Sequence, residues 1–199
     1  MGDDVLFDER DGIATITLNR PERLNTIAIP TVEVLLEAIE RAAGGTARVV
    51  VLAGNGDKFC AGADQAEMRP RIAQEWEPII SRYLDLIRAL VAVDKPVVAS
   101  LHGDAVGGGL GLAMACDIRI AAAGIRLGAP FTQIGISGVD MGAGWFLPRL
   151  VGLGAATELM FTGRLVGADE ALALGLVHRV MPAAEHATEV AKWAARFAA

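Results

Sequence analysis

Two glycine-rich segments constrain the fold of this chain more than any other feature: Phe59-Cys-Ala-Gly-Ala-Asp-Gln-Ala-Glu-Met68 and Gly107-Gly-Gly-Leu-Gly-Leu-Ala-Met-Ala-Cys-Asp117. Each follows a short apolar run typical of a buried strand, at 48–53 and 96–101, and each leads into a helical pattern. A strand that passes through glycines into a helix leaves backbone N–H groups unpaired and pointing one way. Two such turns can direct their donors at one oxygen, as an oxyanion hole does. The sequence therefore indicates an enzyme that stabilises negative charge on a carbonyl oxygen.

Strands alternate with helices along all 199 residues, which predicts a single α/β domain over residues 1–199. The Asp-Gly pair at 11–12 separates two β-type runs, at 5–9 and 13–18, and predicts a hairpin. Helices are further predicted at 31–43, 75–93, 143–151, 155–162, 169–174 and 184–199, and strands at 118–121 and 177–180.

Composition excludes several classes of function. Hydrophobic residues make up 53% and charged residues 21%, which is typical of a globular chain, and a net charge of −6 without a Lys/Arg run argues against nucleic acid as a partner. No apolar stretch reaches membrane-spanning length, and the acidic N-terminus is unlike a signal peptide. Cys60 and Cys116 lie in apolar surroundings, which favours reduced thiols and a cytoplasmic location. No His/Cys/Asp spacing predicts a metal site.

Further motifs follow in a fixed order from about residue 5 to 198. With them the chain resembles the enoyl-CoA hydratase/isomerase (crotonase) superfamily. The motifs are Leu18-Asn-Arg-Pro-Glu-Arg-Leu-Asn25, the Phe59–Met68 segment, Lys95-Pro96, His102-Gly-Asp-Ala-Val-Gly-Gly-Gly109, Ala115-Cys-Asp117, Leu147-Pro-Arg-Leu-Val-Gly152, Leu159-Met-Phe-Thr-Gly163, Ala168-Asp-Glu-Ala171 and Gly175-Leu-Val-His178.

The resemblance implies a spiral of ββα units, with a C-terminal helical part that is shortened relative to the family, and assembly into a homotrimer or hexamer. It implies an acyl-CoA thioester as ligand, with coenzyme A entering as part of the substrate and no separately bound cofactor. The thioester oxygen would lie between the backbone N–H groups of Ala63 and Gly108. Contacts with the substrate are implied for Arg23, Leu24, Ala61, Asp64, Gln65, Ala66, Gly111 and Phe131.

The chain departs from a hydratase at two positions. Where such enzymes carry their two glutamates, this chain has Gly111 and Phe131. Asp140 aligns instead with an acidic position used by dienoyl-CoA isomerases, naphthoate synthases and 4-chlorobenzoyl-CoA dehalogenases, so it is the candidate for proton transfer. The alternative is a non-catalytic acyl-CoA-binding protein that lacks both glutamates. An RNA-binding role, known for some relatives, is disfavoured by the acidic balance.

Other polar and apolar side chains carry weaker expectations. His102 is predicted to make a hydrogen bond beside the site, and His178 and His186 are predicted to lie at the surface or a strand edge. Glu67 is predicted to point from a helix into solvent, and Asp117 to be structural. The residues expected near the acyl tail are Phe131, Met141, Trp145 and Phe146.

Overall fold

The structure, a computed structural model, describes residues 4–67 and 72–199. The strands of this part are Val5–Arg10 (β1), Ile13–Leu18 (β2), Val49–Gly54 (β3), Lys58–Cys60 (β4), Val97–Leu101 (β5), Asp104–Val106 (β6), Ile118–Ala122 (β7), Arg126–Gly128 (β8), Val166–Gly167 (β9) and Arg179–Met181 (β10). The α-helices are Ile29–Gly44 (α1), Ala73–Val91 (α2), Gly108–Ala115 (α3), Ala143–Val151 (α4), Leu153–Thr162 (α5), Ala168–Ala173 (α6) and Ala183–Ala198 (α7).

The larger sheet has six strands in the order β1-β2-β3-β5-β7-β10. The predicted hairpin is confirmed, since β1 and β2 pair antiparallel with Arg10 opposite Ile13; the other neighbours run parallel. The central strands are apolar on both faces because the sheet is covered on both sides. The main core lies on the side of α1, α2 and α3, and α7 packs on the other face against Val49, Val51, Val98 and Ile120.

A second, smaller sheet places the candidate site, and the sequence patterns did not predict it. Its strands lie in the order β4-β6-β8-β9. Each of β4, β6 and β8 follows a strand of the large sheet after a short turn, so the chain repeatedly adds one strand to each sheet in a ββα spiral. These strands contain only two or three residues, which is too short for a hydrophobic period to appear.

One of the two glycine-rich segments ends differently from the prediction. The second runs directly into α3, whereas the first continues into a 3₁₀ turn, Gln65–Glu67, and α2 begins only at Ala73. The expectation for Glu67 was wrong. Its carboxylate accepts a hydrogen bond of 2.7 Å from the backbone N–H of Ile29, at the start of α1. An acidic side chain is favourable there because the first N–H groups of a helix lack intrahelical acceptors.

The three histidines have separate environments. The expectation for His186 was wrong, since its side chain is buried under α7 and its Nε2 lies 2.9 Å from the carbonyl oxygen of Ile120 in β7. His178 is exposed, as predicted, and its Nδ1 accepts from the N–H of Arg119. His102 bonds to the carbonyl oxygen of Gly56 at 2.9 Å.

Asp117 has the predicted structural role, because its carboxylate accepts from the N–H of Val97 at 2.8 Å.

Both cysteines are buried and free. Burial raises the pKa of the Cys60 and Cys116 thiols to about 12, so both remain protonated at neutral pH. Helices long and apolar enough to cross a membrane do not occur in the described part of the chain.

Candidate active site

The first glycine turn orients the backbone N–H of Ala63. Ile27 donates its N–H to Gly62 O at 2.8 Å, and its own carbonyl accepts from Asp64 N at 3.0 Å. These two bonds form a parallel bridge between Ile27 and Ala63. Because they use the peptide groups on either side of Ala63, the N–H of Ala63 itself points to the opposite edge of the strand. Ala63 also lines a cavity.

The second glycine turn brings Gly108 to the lining of the same cavity. Gly108 is the first residue of α3, so its N–H has no acceptor within the helix. Gly62 must be glycine, because its φ is +90° and an added Cβ would lie 2.9 Å from the Gly108 nitrogen. The two turns therefore pack directly on one another. The two turns are adjacent, while the convergence of their N–H groups on one oxygen stays a prediction.

The cavity beside these amides has a volume of about 200 Å³ and is mainly apolar. It continues into a wider groove of about 1140 Å³ between α2 and residues 134–140. Among the described residues that line the cavity, Asp140 is the one carboxylate. An apolar cavity with a few converging polar groups is the usual form of a small-molecule site.

Asp140 begins a 3₁₀ turn, Asp140–Gly142, that packs against α2 and α3. One carboxylate oxygen, Oδ1, accepts a hydrogen bond of 2.7 Å from the N–H of Met141, and the Asp140 N–H donates to Ser137 O. The side chain is partly exposed and lines both the cavity and the wider groove. Asp140 is thus placed where a carboxylate could exchange a proton with a bound molecule.

The predicted substrate-binding residues divide into three groups. Ala61, Gln65 and Phe131 line the cavity. A second group lies next to it around the first glycine turn: Arg23, Leu24, Asp64 and Ala66. Gly111 lies outside the described cavity lining and is covered by Met141, whose carbonyl oxygen would be 2.7 Å from a Cβ at that position.

Arg23 and Ala66 of the second group contact the buried carboxylate of Asp64. It accepts from the N–H of Ala66 at 3.1 Å, and Arg23 and Arg20 lie 3.6 and 3.3 Å away. Burial alone raises the pKa of Asp64, but the Ala66 amide, the charges of Arg23 and Arg20 and the hydroxyl of Thr26 outweigh it, and the pKa is lowered. A negative charge thus fixes the shape of the segment that follows Ala63.

Sequence reasoning missed the face of α2 that forms one wall of the cavity. This wall consists of Trp76, Ile79, Ile80 and Tyr83, at the i, i+3, i+4, i+7 spacing of one helical face. The Tyr83 hydroxyl donates to Ile27 O at 2.7 Å, and burial raises its pKa to about 12. The periodicity predicted the helix, but which of its faces meets a ligand depends on the packing of α2.

The expected acyl-tail residues are only partly brought together. Phe131 and Met141 line the cavity. Trp145 is 60% exposed and stacks beneath the Arg149 guanidinium, with 3.3 Å between the guanidinium carbon and the ring centroid. Phe146 packs against Gly142 and not on the cavity wall.

Within residues 4–67 and 72–199, no group of three His, Cys, Asp or Glu residues could hold a metal ion.

Known proteins resemble this chain in both sequence and fold. Residues 8–199 match the family model described as enoyl-CoA hydratase/isomerase. A crotonyl-CoA hydratase from Syntrophomonas wolfei is 36% identical over 98% of this chain and 75% of its own length. A probable enoyl-CoA hydratase from Mycobacterium leprae is 39% identical over 87% of this chain, which spans 62% of that relative.

The agreement in three dimensions is equally broad. The crystal structure of an enoyl-CoA hydratase from Bacillus anthracis superposes with a TM-score of 0.93 at 33% identity, covering 98% of this chain and 76% of that one. One from Mycobacterium smegmatis gives a TM-score of 0.92 at 33% identity. The crotonase fold predicted from the motifs is therefore confirmed, and the chain belongs to the enoyl-CoA hydratase/isomerase family.

Proposed function

We propose that this protein acts on acyl-CoA thioesters, holding the thioester oxygen between the N–H groups of Ala63 and Gly108 and moving a proton with Asp140. The proposal is carried by one observation: the two glycine turns and the lone described carboxylate line the same apolar cavity. A thioester has an acidic α-carbon, and its enolate places negative charge on oxygen. Two preorganised N–H donors stabilise that charge as it develops.

The chemistry at the acyl chain follows from which carboxylate faces it. Gly111 and Phe131 occupy the positions of the two hydratase glutamates. Among the described residues that line the cavity, Asp140 is therefore the carboxylate available for proton transfer. One carboxylate can take a proton from one carbon and return it to another, which shifts a double bond. We therefore favour isomerisation or a related proton transfer over hydration.

The remainder of the ligand would lie along the first glycine turn. Arg23, Leu24 and residues 61–66 line the way to the coenzyme A nucleotide and pantetheine in this proposal. Coenzyme A is then part of the substrate and no separate cofactor is bound. A trimeric or hexameric assembly and a cytoplasmic location, implied by the resemblance and by the free cysteines, belong to the same proposal.

The test is a mass-spectrometric screen of turnover on enoyl-, dienoyl-, β-keto- and aryl-CoA thioesters, with Asp140→Asn measured beside the wild type. We expect Asp140→Asn to lower kcat by ~10²–10⁴-fold, since it removes a general acid–base group. Asp169→Asn, an exposed aspartate at the start of α6, is the matched control and should retain full turnover.

Two results would redirect the proposal. Equal turnover by wild type and Asp140→Asn would keep the family's acyl-CoA chemistry but remove Asp140 from it. Binding of the thioesters without turnover of any would favour the alternative of a non-catalytic acyl-CoA-binding protein.

A further inference from the structure

Met141 has a backbone conformation that few residues of its type adopt. Its φ and ψ are 47° and 35°, in the left-handed region, and Gly142 follows with φ 79°. A residue with a Cβ pays free energy to stay in this region, so the surroundings must hold it there. The side chain is nevertheless buried, with 6% of its surface exposed. The strain is thus located directly beside Asp140.

The contacts that hold Met141 come from one face of α3. Gly108 and Gly111 are three residues apart and therefore share a face of this helix. The Met141 Cε lies 3.4 Å from the position of an added Cβ at Gly108. At Gly111 an added Cβ would lie 2.7 Å from the Met141 carbonyl oxygen and 2.8 Å from its Cβ. The backbone of Met141 thus occupies the space that any side chain at position 111 would need.

On its other side, Met141 contacts the carboxylate of Asp140. Its N–H donates to Asp140 Oδ1 at 2.7 Å, and the left-handed turn lets the side chain face α3 while Asp140 lines the cavity. One residue therefore touches both the carboxylate assigned to proton transfer and the helix start that carries the Gly108 N–H.

We propose that Met141 is a positioning residue that fixes the Asp140 carboxylate relative to the Gly108 amide, and that position 111 must be glycine for Met141 to dock on α3. This inference rests on the proposed function. On this proposal the glycine at position 111 has a function of its own, because it leaves room for the segment that carries Asp140. A side chain at position 111 would therefore displace that segment from its place in this structure.

Gly111→Ala is the direct test, with Gly154→Ala in α5 as the matched control. Nothing lies within 4 Å of an added Cβ at Gly154, so alanine there should raise Tm, as it usually does in a helix. Gly111→Ala should lower Tm despite the same gain in helix propensity. It should also lower kcat by ~10–100-fold, because a displacement of about 1 Å can cost that much. KM should stay within about threefold, since the coenzyme A contacts are elsewhere.

Two further variants separate positioning from general damage. Met141→Gly keeps the left-handed backbone but removes the packing on Gly108, and should lower kcat by about tenfold or more. Met141→Leu, of similar volume, should restore most of the turnover. These variants also serve if Gly111→Ala does not fold.

The decisive comparison is the double variant Gly111→Ala/Asp140→Asn. If Gly111 acts through Asp140, the double variant should be no slower than Asp140→Asn alone. The positioning role would be overturned if the losses in kcat of the two single variants multiplied in the double variant. It would also be overturned if Gly111→Ala folded with the kcat and the raised Tm of the Gly154→Ala control. In either case Asp140 would keep its function. Full turnover by Asp140→Asn would instead remove Asp140 from the proposed function, and this inference would fall with it.

Discussion

At the scale of single residues, the carboxylate of Asp64 shows how one charge can fix a loop. It is 6% exposed and is contacted by Arg20, Thr26, Ala66 and Arg23, which come from two separate segments. These partners outweigh the effect of burial and lower its pKa. The resemblance named Asp64 only as a substrate contact, whereas its ion pairs with Arg20 and Arg23 depend on a contact between segments about forty residues apart.

Asp64→Asn should destabilise the protein by about 1–3 kcal/mol at pH 7, because hydrogen bonds to a charged group are lost. Since the folded-state pKa is lowered, the unfolded chain binds the proton more readily, and this stability is lost as pH falls below about 4. Urea unfolding at pH 7 and near pH 3 checks this. A difference between the two proteins that is the same at both pH values would contradict it.

At the scale of elements, α3 is a short helix with defined interactions at both ends. Its N-terminus carries the Gly108 amide, and its C-terminal carbonyls accept from a buried guanidinium, that of Arg119. Arg119 also donates to Leu176 O at 2.8 Å, and burial lowers its pKa. A cation at a helix C-terminus is favourable because the last carbonyls have no intrahelical donors.

Arg119→Leu should lower the free energy of unfolding by about 2–4 kcal/mol, since the carbonyls of Ala113, Cys116 and Leu176 lose a shared donor inside the protein. Arg119→Lys should cost less, because it keeps the charge but lacks the planar fork that reaches several acceptors. Denaturant unfolding of the three proteins measures both values. Equal stability of Arg119→Leu and wild type would show that water replaces the guanidinium at no cost.

At the scale of the whole molecule, α7 covers the face of the large sheet that the other helices leave open. Its apolar residues pack on β3, β5 and β7, and His186 is buried at this contact. Burial lowers the pKa of His186, and partial desolvation with the nearby charge of Arg119 lowers that of the more exposed His178. Both are therefore neutral in the folded protein at pH 7.

The free energy of unfolding should accordingly decrease as pH falls from about 7 to about 5. The sign follows because a lowered folded-state pKa means that the unfolded chain binds protons more readily over this range. His186→Gln should reduce the pH dependence without removing it, since His178 contributes as well. Chemical unfolding at several pH values measures this. An unchanged slope in His186→Gln would assign the dependence to other groups.

Prediction succeeded where the pattern was long or the turn chemistry was specific. The helix at 143–151 was predicted to the residue, and the Asp11-Gly12 hairpin followed from its turn residues. The strands β4, β6 and β8 were missed because three residues show no period. His186 was misplaced because only the packing of α7 on β7 buries it.

The sequence by itself determined the α/β class, the family, and the two glycine turns that line one cavity, because these depend on local backbone chemistry and on motifs in a fixed order. Tertiary structure decided which side chains surround that cavity. The wall of Trp76 and Tyr83, the docking of Met141 over Gly111 and the pairing of Asp64 with Arg20 join residues distant in the chain. Contacts of this kind depend on how whole elements pack, and no local pattern encodes them.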